Sequence, residues 1–135
     1  MVRYTLPLLL LALAGCDAQH AHIFGDPPAL TAREAAEISD TLKGLTPGKP
    51  QSCIEQSRVT QVQKYTNTIL YEYSPREIYR VTTTPGCSGL RYGDILVTHT
   101  TTGELCSGDI VRTVSPGANM PSGTCALGMF TPYRR

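Results

Sequence analysis

Cysteine is the residue of this chain whose placement carries the most chemistry. Five occur: Cys16, Cys53, Cys87, Cys106 and Cys125. Cys16 stands apart, close behind an apolar N-terminal run. The other four are separated by 34, 19 and 19 positions. Those gaps match neither the short paired spacings of zinc sites nor the C-x-x-C of thiol redox enzymes. An even number of widely spaced cysteines in an exported chain predicts a disulfide framework instead. Four cysteines allow three pairings. Position favours Cys53–Cys125 and Cys87–Cys106. The first two open the first and last predicted strands, which meet if the sheet closes, and the second two sit in the loops flanking the strand at Ile95. The long loop closed by Cys53–Cys125 would stabilise by roughly 4 kcal/mol in the chain-entropy model.

The other reactive side chains assemble no catalytic signature. His20 and His22 form a His-Ala-His pair, but two ligands on a mobile segment make a poor metal site, and no metal or cofactor is expected. His99 is the single histidine of the domain proper. A hydrolase would need it beside a nucleophile and an orienting acid, and Ser88, Ser107 and Ser115 lie in no G-x-S-x-G elbow. Glu55, Glu72, Glu77, Asp94 and Glu104 show no pairing spacing, and no Gly-rich phosphate loop precedes a helix. Tyr71, Tyr73, Arg76, Tyr79, Arg80, Arg91 and Tyr92 form a candidate binding face, since Tyr and Arg carry interface energy out of proportion to their number. The 12 Lys+Arg against 11 Asp+Glu leave the chain near neutral. That balance argues against nucleic acid as a partner.

These residues need an address and a scaffold. Met1–Gly15 has one basic residue, Arg3, then the apolar run Leu6 to Leu13. A mature membrane span takes about 20 apolar residues, so this run is a secretory signal. It ends Leu13-Ala14-Gly15-Cys16, which resembles the bacterial lipobox. The resemblance implies a thioether-linked diacylglycerol on Cys16, cleavage before it, and acylation of the new terminus. Two or more acyl chains anchor stably, at about 0.8 kcal/mol per buried methylene. Asp17 resembles the enterobacterial signal for inner-membrane retention; the residue alone leaves inner versus outer membrane open. The chain thus divides into a signal (1–15), a lipidated tether (16–30) and one globular domain (31–135). The tether holds Gly25, Pro27 and Pro28 and reaches on the order of 20 Å.

The domain opens with a helix over 31–44. Thr31 and Glu34 form an S/T-x-x-E capping box. Ala35, Ile38, Leu42 and Leu45 make one narrow stripe, so the helix should lie on the outside of a sheet. Gly44 suits a left-handed stop and Pro47 prevents continuation. Residues 53–133 are rich in Thr, Val, Ile and Tyr, punctuated by Gly and Pro. Strands are predicted near 54–64, 68–73, 77–83, 95–101, 109–114 and 125–130. Ser74-Pro75-Arg76 joins two of them as a hairpin, and Ser115-Pro116-Gly117 opens a longer connection. Gly108 suits a tight turn, with the Asp109 carboxylate bonding the local backbone. The fold class is mainly β with one N-terminal helix (α+β): a small antiparallel sheet curled into a barrel or sandwich and stapled by disulfides.

Several runs carry a family resemblance: Pro50-Gln51-Ser52-Cys53-Ile54, Thr68-Ile69-Leu70-Tyr71, Leu105 to Val111, and Cys125 to Tyr133. The chain resembles a group of small exported proteins of alphaproteobacteria, sphingomonads among them. The resemblance implies an exported location and supplies neither an activity nor a site. Separately, Ser88-Gly89-Leu90-Arg91-Tyr92 resembles the S-G-x-x-Y loop of membrane-bound lysozyme inhibitors. The expected role is a non-catalytic binding or accessory module, lipid-anchored on the periplasmic side of the envelope, with a protein or cell-wall partner. The alternative is a small periplasmic enzyme or enzyme inhibitor. Metabolic labelling with a palmitate analogue should mark the wild-type protein and leave Cys16→Ser unmarked. An unmarked wild type would remove the anchor.

Overall fold

The computed structural model describes residues 28–135. The signal, Cys16, Asp17, the His20/His22 pair and most of the tether lie outside the described residues. No helix among these residues is long and apolar enough to cross a membrane. In chain order the elements are α1 (Ala32–Thr41), β1 (Thr46–Pro47), β2 (Cys53–Glu55), β3 (Gln61–Lys64), β4 (Thr68–Ser74), β5 (Glu77–Thr83), β6 (Ile95–Thr98), β7 (Glu104–Cys106), β8 (Ile110–Ser115) and β9 (Met120–Arg134). Short 3-10 turns occupy Gln56–Arg58 and Ser88–Tyr92. The fold is mainly β with one helix, as the residue pattern predicts.

Helix α1 forms for the reason its sequence gives. Both bonds of the Thr31/Glu34 capping box are made. Ile38 and Leu42 bury against Tyr65, Leu70 and Ile78, which places the helix on the convex face of the sheet. Ala35, on the same stripe, stays exposed. The helix ends at Thr41, short of the expected 44, and Gly44 turns the chain at φ +77°. Glu34 has a second task that the capping motif does not reveal. Its carboxylate accepts from the Thr66 amide at 2.8 Å and the Thr66 hydroxyl at 2.8 Å, tying the helix to the β3–β4 turn. Burial alone would raise its pKa. The bonds from Thr31 and Thr66 outweigh that and lower it to about 2.

The main sheet is antiparallel, with order β3-β4-β5-β9-β8-β6 and β1 added on β9, and it curls into a half-barrel. Side chains alternate along β4 and β5. Ile69, Tyr71, Tyr73, Tyr79 and Val81 enter the concave core, while Leu70 and Ile78 meet the helix. Strand β9 runs 15 residues through the centre. Its first half pairs with β8 and its second with β5. Val81 faces Phe130 but Thr83 faces Leu127, so β9 carries one extra residue there. That bulge resets the alternation, and Cys125, Leu127 and Phe130 all point into one core. Gly128 lies in the bulge, where a Cβ would stand 2.6 Å from the Thr82 carbonyl oxygen.

The disulfides are Cys53–Cys106 and Cys87–Cys125, which corrects the expected pairing. The expectation assumed that the last strand closes on the first. Strand β9 instead occupies the middle of the sheet. Residues 104–106, expected in a loop, form β7 and pair with β2, so Cys53 faces Cys106 directly. The Cys87 segment crosses β9 where two glycines permit it. A Cβ on Gly123 would stand 2.1 Å from the Gly86 carbonyl oxygen, to which the Thr124 amide donates at 3.0 Å. Two further corrections concern strands. The predicted strand over 54–64 is broken by the Gln56–Arg58 turn into β2 and β3. The connection after Ser115 is tight, because the Asn119 amide bonds back to the Ser115 carbonyl at 2.8 Å and β9 begins at Met120. Asp109 behaves as read: its carboxylate accepts from the Cys106 amide at 2.7 Å.

Two measurements check these features. Non-reducing peptide mapping should yield Cys53–Cys106 and Cys87–Cys125. These close separations of 53 and 38 residues, worth roughly 4 kcal/mol each in the chain-entropy model, so reductant should lower Tm by many degrees. Glu34 is held below its unfolded-state pKa. Its contribution is therefore present above about pH 4.3 and is lost as pH falls toward its folded value. In urea denaturation, Glu34→Gln should lose about 1 kcal/mol at neutral pH and show a flatter acid limb than wild type.

Candidate functional site

Every neighbouring pair in the sheet is antiparallel, so the two edge strands, β3 and β6, also run antiparallel to each other. Pairing them would close a barrel, and they do not pair. At one end they are latched. Lys64 Nζ, from the end of β3, donates to the Asp94 carbonyl just before β6. The Asp94 carboxylate is buried and bonds to the Ser122 hydroxyl, which also bonds to the Thr113 hydroxyl at 2.9 Å. Ser122 is available there because a second bulge of β9 lies between the pairs Thr113/Gly123 and Val114/Pro121.

Away from the latch lies a cleft of about 280 Å³. Val62 of β3 lines one side, and Leu96 and Thr98 of β6 the other. Gln56 opens the 3-10 turn after β2, and Val59 follows that turn directly. Tyr71 of β4 and Leu105 of β7, both buried, lie deepest. Among the described residues, no charged side chain lines the cleft. Tyr71 is 2% exposed, with its ring tilted against Phe130 at 6.0 Å between centroids. Its hydroxyl oxygen is buried with no hydrogen-bond partner among the described residues. Burial pushes its pKa above the ordinary tyrosine value.

Comparison with protein-family models, curated proteins and solved structures gives no match. The chemistry of the cleft therefore rests on its own residues.

The Tyr and Arg residues expected to share one face are dispersed. Alternation sends Tyr71, Tyr73 and Tyr79 inward. Tyr73 and Tyr79 serve a structural cluster, with ring centroids 4.8 Å apart. The Tyr73 hydroxyl donates to the Glu55 carbonyl at 2.9 Å, and Arg58 lies over the Tyr73 ring at 4.5 Å. The Tyr79 hydroxyl donates to Glu77 at 2.8 Å, and Arg134 grips Glu77 at 2.9 and 3.0 Å. Burial would raise the Glu77 pKa, but Tyr79, Arg134 and Arg58 lower it. Arg76 is exposed at the β4–β5 hairpin. Arg80 points to the convex side, where it lines a groove beside α1 with Ser39, Lys43 and Tyr133. Arg91 stacks on Tyr92 at 4.6 Å, and Tyr92 is 74% exposed. Only Tyr71 of the seven lines the cleft.

The remaining candidates also have definite places. His99 is exposed one residue past β6. Ligand atoms of Cys53, Glu104 and Cys106 lie within 4.8 Å of one another, but the two sulfurs are bonded together and offer an ion no thiolate. The cleft residues Val62 and Leu105 carried no sequence signal, because each reads as ordinary core. One signal was present: Ile95-Leu96-Val97 is an apolar run that turns out to sit on an open edge. Tyr71→Phe removes a buried hydroxyl that lacks a partner, so without ligand it should raise stability by up to about 1 kcal/mol in thermal or urea melts. A clear loss of stability would show that the hydroxyl has a bonding partner.

Proposed function

We propose that this protein is a membrane-anchored lipoprotein of the bacterial envelope, held through Cys16 on the periplasmic side. Its domain is a non-catalytic binding module, and its site is the cleft at the open seam. The lipobox supports the anchor, and two disulfides suit an oxidising compartment. The observation that carries the binding role is a cleft lined by uncharged residues among those described, one of which, Tyr71, has a buried hydroxyl without a hydrogen-bond partner. A concave apolar site with few polar groups is the usual form of a ligand pocket. Folded proteins rarely leave such a group unsatisfied.

A second reading, enzyme inhibition, draws on the Ser88–Tyr92 turn. Ser88 and Tyr92 are exposed at its two ends, while Leu90 is buried and Gly89 abuts the Asp94 carboxylate, so the turn is a braced projection. Micromolar purified domain should slow lysozyme if this turn acts as an inhibitor; an unchanged rate removes that reading.

For the principal reading, photo-crosslinkers placed at Val62 and at Arg76 in native membranes give the test. A specific adduct is expected at Val62 only, and it should disappear with Leu96→Arg. The same adducts at both positions, or none at Val62, would contradict a binding role for the seam.

A further inference from the structure

We infer that the cleft takes a short, neutral, largely aliphatic molecule with one hydrogen-bond acceptor, and that this acceptor pairs with the Tyr71 hydroxyl. The inference rests on the reading of the cleft as a binding site and adds the chemistry of its ligand.

Size sets the first limit. A volume of about 280 Å³ corresponds to about nine water-sized groups at ~30 Å³ each. Lining sets the second. Val59, Val62, Leu96 and Leu105 offer aliphatic surface beside the polar side chains of Gln56 and Thr98, and Val59 and Leu96 are only partly buried where they pack on the core. That surface gains by covering an apolar ligand. Charge sets the third. Among the described residues the lining holds no Lys, Arg, Asp or Glu, so a carboxylate or an ammonium would enter unpaired and lose its hydration without compensation.

The Tyr71 hydroxyl then fixes the polar end of the ligand. It is the buried side-chain polar atom without a partner among the described residues. A tyrosine hydroxyl carries its proton at neutral pH, so it can donate to a carbonyl, ether or hydroxyl oxygen. A neutral amide, ester, ketone or alcohol on an aliphatic body meets all four conditions. A hydrocarbon meets three of them and leaves the hydroxyl unpaired. A fatty carboxylate fails on charge.

The test uses the full chain carrying Cys16→Ser, so that no detergent competes for the probes. Hexanamide, isosteric hexanoate and toluene are titrated at pH 7.5 and followed by amide NMR shifts. Hexanamide should move the Val62, Tyr71 and Leu96 signals, saturating in the millimolar range expected for so small a ligand. Hexanoate should bind at least tenfold more weakly. In Tyr71→Phe, hexanamide should weaken about threefold to tenfold while toluene binds as in wild type. Equal binding of hexanamide and hexanoate overturns the exclusion of charge. Equal hexanamide binding by wild type and Tyr71→Phe overturns the role of the hydroxyl. If neither hexanamide nor toluene moves these signals, the ligand class is wrong. A specific Val62 adduct in membranes would then still support the binding module, and its absence would remove both.

Discussion

Strand β9 must pair with β8 along its first half and with β5 along its second, and the rest of the structure depends on how it does so. Fifteen residues in regular alternation could not keep one face buried against β8 at one end and β5 at the other in a sheet this curled. The bulge around Gly128 adds a residue and resets the phase, so Cys125, Leu127 and Phe130 all reach the same core. The glycine is required there because the Thr82 carbonyl occupies the space a side chain would need. The same strand takes the Cys87 crosslink at the point where Gly86 and Gly123 let two backbones meet. Curvature, core and one of the two crosslinks therefore have a common source.

Curvature without closure produces the site. The sheet bends far enough to bring its edges, β3 and β6, to the same side, and Lys64 and Asp94 hold them at one end. Between the edges, side chains of the 3-10 turn and β7 complete the cleft lining where further strand pairing would otherwise stand. The β2–β7 ladder that supplies Leu105 is fastened by Cys53–Cys106. Leaving the Tyr71 hydroxyl unsatisfied costs about 1–3 kcal/mol. Two disulfides at roughly 4 kcal/mol each in the entropy model offset that without difficulty. A rigid frame can thus carry a locally unfavourable polar group, and functional positions are where such groups are usually found.

Much of this fold was legible in the sequence, for identifiable reasons. The capping box and the Ile38/Leu42 stripe gave the helix and its position outside the sheet. Alternation in Thr68–Tyr73 and Glu77–Thr83 gave β4, β5 and the hairpin between them. What failed was non-local. The disulfide pairing follows from β9 being central and from β7 existing at all, and neither is written in the spacing of four cysteines. The seven Tyr and Arg residues share a chemical type but not one surface. Alternation along β4 and β5 separates Tyr71, Tyr73 and Tyr79 from Arg80. The cleft itself was illegible because Val62 and Leu105 differ from core residues only in where the sheet stops.

The cleft exists only if β3 and β6 are true edges. Hydrogen exchange followed amide by amide tests this most directly. The seam-facing amides of Gln61–Lys64 and Ile95–Thr98 should exchange quickly, since they have no partners among the described residues. The amides of β9 around Cys125–Phe130 should exchange only on global unfolding. Equal, strong protection along both seam-facing edges would mean that β3 and β6 pair, that the barrel is closed, and that the cleft does not exist.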